Sequence, residues 1–137
     1  MDKKFEFLEH TADTKIKAYG SNLAEAFENV ALASTQVMTD LELIKEVHSR
    51  KIVVSAKDTK SLLYDFLEEL LFLLDTEGFL VKKVDNLVID NNELSCVVIG
   101  DFAKNYEIHT TIKAITYSDM EIIENSDGCV IQIVFDL

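Results

Sequence analysis

The chain has 137 residues, 48% hydrophobic and 28% charged, and its 25 acidic against 13 basic groups give a formal net charge of −12. That length and balance suit one globular domain over residues 1–137 and exclude a disordered chain. Arg50 is the single arginine, proline is absent, and Gly20, Gly78, Gly100 and Gly128 are too scattered to build a phosphate-cradling loop. P-loop and dinucleotide-binding readings therefore fall, and strong direct nucleic-acid binding is not expected.

In chain order, Lys4–Leu8 is a short strand with Phe5 and Phe7 on one face. Glu9–Asp13 is a polar connection, and Thr14–Tyr19 alternates again with Ile16 and Ala18 inward. Gly20-Ser21-Asn22 ends that strand, and Asn22 followed by Glu25 is a capping-box pattern. The helix it opens puts Leu23, Ala26, Phe27, Val30, Ala31 and Ser34 along one face. Residues 35–51 carry no clear period, and Ile52–Val54 is a strand. Asp58 or Thr59 caps a second helix through Asp75, apolar at Leu63, Phe66, Leu67, Leu70, Leu71 and Leu74, with Gly78 as its C-terminal cap.

Beyond it the pattern is strand. Segments Phe79–Val84, Leu87–Asp90, Glu93–Val98, Thr111–Tyr117, Glu121–Glu124 and Cys129–Phe135 are predicted, with hairpins across Asn91-Asn92 and over Asn125–Gly128. Helices early and strands late favour an α+β domain, a mostly antiparallel or mixed sheet with two main helices packed on it.

Several function classes drop out. Residues Met1–Glu6 hold no apolar signal core, and Leu62–Leu74 is too short and too charged to span a bilayer, so a cytoplasmic protein without a membrane partner is expected. Cys96 and Cys129 lie in apolar alternating runs with no metal-ligand neighbours and are expected as buried thiols. There is no Gly-x-Ser-x-Gly elbow, and His10, His48 and His109 have no paired role, so no catalytic nucleophile is assigned.

Two carboxylate groupings remain. Asp65, Glu68 and Glu69 share a helix face that also carries Phe72. This is either a solvated face or a docking surface for a basic partner, where an aromatic anchor rimmed by charge is a common design. The second grouping joins the chain ends. A strand carrying the C-terminus in mid-sheet brings Asp136 and the Leu137 carboxylate near Asp13, a hard-oxygen cation site. The alternative is a turn residue at Asp13 and a solvated aspartate at 136.

The sequence resembles the archease family through blocks in order along the whole chain. They are Phe7-Leu8-Glu9-His10-Thr11-Ala12-Asp13, Ala18-Tyr19-Gly20, Leu23–Asn29, Leu63–Phe72 running into Asp75–Gly78, Ile112–Tyr117 and Ile133–Leu137. The resemblance implies a protein cofactor of the RtcB-type tRNA-splicing RNA ligase, not an enzyme, which promotes the ligase's guanylylation and repeated turnover. It also implies a divalent cation (calcium, with magnesium or manganese as alternatives) on Asp13, Asp136 and Leu137, and no organic cofactor. Candidate partner contacts are Asp65, Glu68, Glu69, Phe72 and Lys113. Lys113 matches a family lysine but is equally a lysine on an exposed strand face. Thr14 stands where the family usually has an apolar residue, and Gly100–His109 does not align. The alternatives are a general chaperone of RNA-modifying proteins and a metal-dependent phosphoester hydrolase.

Overall fold

The computed structural model describes residues 3–8 and 13–137. The elements are β1 (Phe5–Leu8), β2 (Asp13–Gly20), α1 (Leu23–Met38), β3 (His48–Ser55), α2 (Thr59–Glu77), β4 (Phe79–Asp90), β5 (Glu93–Phe102), β6 (Ala114–Asn125) and β7 (Gly128–Asp136), with 3-10 turns at Leu41–Leu43 and Ala103–Asn105. The strands form two sheets, ordered β1-β2-β7-β6 and β3-β5-β4. Every pairing is antiparallel, which removes the mixed-sheet alternative. Both helices pack on both sheets: α1 against β2, β7 and β4, and α2 against β6, β3, β4 and β5.

Helix starts follow local chemistry. Asn22 Oδ1 accepts from the Glu25 N–H at 2.9 Å, and Glu25 reaches back to the Ser21 N–H at 2.8 Å. Asp58, not Thr59, caps α2 by accepting from the Ser61 N–H at 2.8 Å. Gly78 ends α2 with φ +70°, a left-handed cap that glycine adopts without strain. Helix α1 runs on to Met38 through residues without a clear apolar period. Ser34 and Thr35 stay buried because their hydroxyls bond to carbonyls, Thr35 reaching Val81 across to β4 at 2.6 Å.

The strands depart from expectation where pairing overrides local pattern. Strand β3 starts at His48 and pairs with β5 through Ser55, although His48 and Arg50 on its inward row are polar. Strand β4 is continuous through Asp90 rather than broken before Leu87, because its irregularity between Asp85 and Val88, with Asn86 at φ +55°, is absorbed as a bulge. The two segments expected at Thr111–Tyr117 and Glu121–Glu124 are one strand, β6, beginning at Ala114, with a register shift between Thr116 and Glu121 and Asp119 at φ +60°. Asn91 and Asn92 carry φ of +51° and +58°, as a two-residue type I′ hairpin requires. The β6–β7 turn is Ser126-Asp127, with Asn125 and Gly128 paired in the ladder.

The core lies between the sheets around the helices. Phe27 and Phe66, with ring centroids 6.2 Å apart, join α1 to α2, and Phe79 and Phe135 are buried from either sheet. Cys96 and Cys129 are free and buried as expected, and burial pushes their thiols up to about 12 and about 11. Strand β7 is central in its sheet: Ile131, Ile133 and Phe135 point at the helices, and even Val134 on the opposite face is buried. Gly100 admits β4 at close range, since a side chain there would collide with the Leu80 carbonyl. Residues 9–12, including His10, lie outside the described residues, and Asp13 opens β2 rather than closing a connection. Among the described residues no helix is long and apolar enough to cross a membrane.

Candidate functional site

Antiparallel pairing of β2 with β7 sets Asp13 directly opposite Asp136. Cross-strand partners share a sheet face, and their Cα atoms lie about 4.5–5.5 Å apart in any such ladder. Ile16 and Ile133, paired three rows further along, face the core, so alternation turns both aspartates to the outer face. Asp136 is also held from β6, paired with Ala114, and its carbonyl accepts the Lys113 N–H at 2.7 Å. Asp136 is exposed, while Asp13 is half-buried with its Oδ1 fully covered. Leu137 follows and packs partly against the core.

Opposed like charges weaken a ladder. Two carboxylates converging from neighbouring strands are the hard-oxygen donors a divalent cation prefers, so the residues fit such an ion. Among the described residues no three His, Cys, Asp or Glu side chains converge on one point. Further donors would therefore be main-chain, terminal or water oxygens. Next to this row, Lys15 stands opposite Val134 and pairs with Asp119 at 3.5 Å, while Gln132 Nε2 donates to the Asp119 carbonyl at 2.9 Å. Together they tie the β6 bulge down over the outer face.

The second carboxylate grouping also assembles. Asp65, Glu68, Glu69 and Phe72 line a shallow cavity of about 390 Å³ together with Val54 and Ser55 of β3. The three acids are half-buried and Phe72 is 58% exposed. Lys113 is not on this face; it precedes β6, outside the strand expected to hold it, with its main chain on Asp136. Sequence reasoning does not reach the parallel stack of Tyr64 on Tyr117, with centroids 4.5 Å apart and planes 6° from parallel. Tyr64 sits one helical turn before Glu68, a signal visible in sequence, but its partner depends on the β6 bulge. Burial first, then Glu68, raises the Tyr64 hydroxyl pKa.

Several other polar groups are satisfied by near neighbours. Asp101 accepts from the Tyr106 hydroxyl at 2.6 Å and from the Phe102 N–H at 2.8 Å, which in that order hold its carboxyl below its ordinary range. This pins the segment after β5. His48 packs its ring on Phe102, and His109 lies exposed beside Glu107. A cavity of about 710 Å³ lies at the Gly20–Cys129 end of the β2–β7 ladder, opposite to the aspartate pair. Of its lysines, Lys3 pairs with Glu6, Lys83 with Asp85, and Lys82 binds the Leu41 carbonyl.

Residues 5–137 match the model of the Archease protein family (MTH1598/TM1083). The chain is 38% identical over 141 aligned residues to the protein archease of Methanosarcina barkeri, covering 98% of this chain and 97% of that one. Its fold is similar to the solution structure of Methanobacterium thermoautotrophicum protein 1598, with a TM-score of 0.81, 34% identity, and 98% and 99% of the two chains covered. It is also similar to the crystal structure of a Thermotoga maritima archease, described as a possible chaperone, with a TM-score of 0.64, 19% identity, and 95% and 94% covered.

Proposed function

The chain belongs to the archease family, and from that membership we propose that it is a protein cofactor of an RtcB-type tRNA-splicing RNA ligase, acting in the cytoplasm to promote the ligase's guanylylation and repeated turnover without joining RNA itself. The observation that supports this most is the cross-strand pair Asp13–Asp136 at the end of the central ladder. When bound, a divalent cation (calcium, or alternatively magnesium or manganese) would be held by Asp13 and Asp136 with Leu137 and would supply neutralisation of phosphate charge. The protein's own part is placement. Strand pairing on both sides of Asp136 holds it as the cross-strand partner of half-buried Asp13, which supports this reading.

The net charge of −12 with a single arginine favours contact with a basic protein surface over contact with RNA. No organic cofactor enters this proposal. The test is multiple-turnover ligation by the cognate ligase with wild type, Asp13→Ala and Asp136→Ala. Wild type should raise ligase guanylylation and turnover, while both variants should keep a native circular-dichroism spectrum and stimulate poorly. Full stimulation by Asp13→Ala removes the cation-site mechanism, and no stimulation by wild type removes the ligase assignment. The description of the Thermotoga relative as a possible chaperone supports a second reading, a general chaperone of RNA-modifying proteins. Pull-down from lysate separates the two, giving one dominant ligase in the first case and many RNA-modifying proteins in the second.

A further inference from the structure

We propose that the outward face of α2, centred on Phe72 and bordered by Asp65, Glu68 and Glu69, is a docking face for a basic segment of the activated protein, distinct from the Asp13–Asp136 pair. It rests on the activation reading above and adds a second point of contact to it.

The charge pattern of α2 opposes its own stability. Asp65 and Glu69 are like charges at i and i+4, which destabilise a helix. Asp75 and Glu77 lie near its C-terminus, where the helix dipole disfavours anions, and its last turn contains no basic residue. Arg50 neutralises Glu77 at 2.8 Å. Among the described residues Asp65, Glu68, Glu69 and Asp75 form no ion pair. Within this acidic row Phe72 is 58% exposed, an aromatic ring bordered by carboxylates. An exposed ring set among uncompensated carboxylates, over a shallow cavity walled by Val54 and Ser55, complements a lysine- or arginine-rich segment whose aliphatic stems cover the ring. Nucleic acid is repelled by the same charges.

The face is also connected to the aspartate pair. The Tyr64–Tyr117 stack fastens α2 to β6, and three residues before Tyr117 on β6 is Ala114, the row partner of Asp136. Three strand residues span about 10 Å.

The test uses the full chain and the purified RNA ligase as probe, with Glu69→Lys and Phe72→Ala. Binding is measured by calorimetry at several salt concentrations, alongside Tm, sedimentation velocity and maximal stimulation of guanylylation at saturating protein. Glu69→Lys replaces a like-charge pair by an attraction between the Asp65 carboxylate and the new ammonium, so the free protein should melt about 1–3 °C higher. The same variant should bind the ligase at least tenfold more weakly, with a shallower salt dependence. Phe72→Ala should weaken binding similarly with Tm nearly unchanged. Both should still reach wild-type maximal stimulation when saturating. Wild-type affinity in both variants, or a change confined to self-association, overturns the proposal. If wild type itself does not bind the ligase, the activation reading fails and takes this proposal with it.

Discussion

Asp13 and Asp136 face each other across the β2–β7 ladder, and Ala114 completes their row on β6. The pair is a consequence of topology: the last strand inserts between the second and the sixth, and its final residues meet the beginning of β2. A sheet gains little from two opposed carboxylates, at a cost of roughly 0.2–1 kcal/mol for such pairs. On the proposed reading a divalent cation is shared between them.

That sharing predicts a metal-linked stability. In chelator, Asp136→Asn should melt at or slightly above wild type because one of two like charges is gone. With calcium at about a hundredfold over its Kd, wild type should gain about 2.7 kcal/mol by mass action, a rise of several degrees for a domain of this size. The variant should gain less than half of that rise. Differential scanning calorimetry with chelator, calcium, magnesium and manganese decides this, and a wild-type Tm indifferent to all three ions would mean that the pair is not a cation site.

The second prediction concerns the joint between the helices. Phe27 and Phe66 are both fully buried and stacked 6.2 Å apart. Truncating either to alanine should cost about 3–5 kcal/mol through lost burial and a residual cavity. The double variant should cost about 0.5–1.5 kcal/mol less than the sum of the two, because the ring pair is lost only once. Urea unfolding of the four proteins gives the cycle. Strict additivity would show that each ring stabilises its own helix independently and that the pair does not couple α1 to α2.

How much of this is legible in the chain depends on the range of the forces involved. The helix caps at Asn22 and Gly78, the inward faces of both helices, the buried thiols and the Asn91-Asn92 hairpin all rest on local chemistry, and the structure bears them out. Strand β3 largely escapes the sequence pattern because its inward row of His48, Arg50, Ile52 and Val54 begins with two polar residues, while its outward row of Ser49, Lys51, Val53 and Ser55 includes an exposed valine. Strands β4 and β6 each look like two because bulges at Asn86 and Asp119 break the alternation without breaking the ladder. At the candidate site, both aspartates can be singled out as chain-end acids, but their meeting depends on β7 lying in mid-sheet, a long-range fact. The Tyr64–Tyr117 stack is long-range in the same sense: Tyr64 can be picked out on its helix, but its partner across the β6 bulge cannot.

The third prediction concerns pH at the sheet edge. The Tyr19 hydroxyl donates to Glu6 across the β1–β2 pair, and Lys3 pairs with the same carboxylate at 3.0 Å. The hydrogen bond from Tyr19, then that from Lys3, lowers the Glu6 pKa. The same bond, followed by burial, raises Tyr19 from 10.0 to about 12. A carboxyl lowered in the folded state contributes stability above its ordinary value of 4.5, lost as pH falls through the lowered one. A phenol raised in the folded state contributes stability below 10.0, lost as pH rises from there through about 12. The β1–β2 contact is thus strongest between those limits and weakens on both sides. Glu6→Ala should return Tyr19 ionisation from about 12 to near 10, followed by ultraviolet difference absorbance with Tyr19→Phe to assign the signal. It should also flatten the alkaline loss of stability between those values. Burial comes second among the causes, so an unchanged Tyr19 midpoint in Glu6→Ala would reverse that order and make desolvation, not the hydrogen bond, the reason the phenol is held neutral.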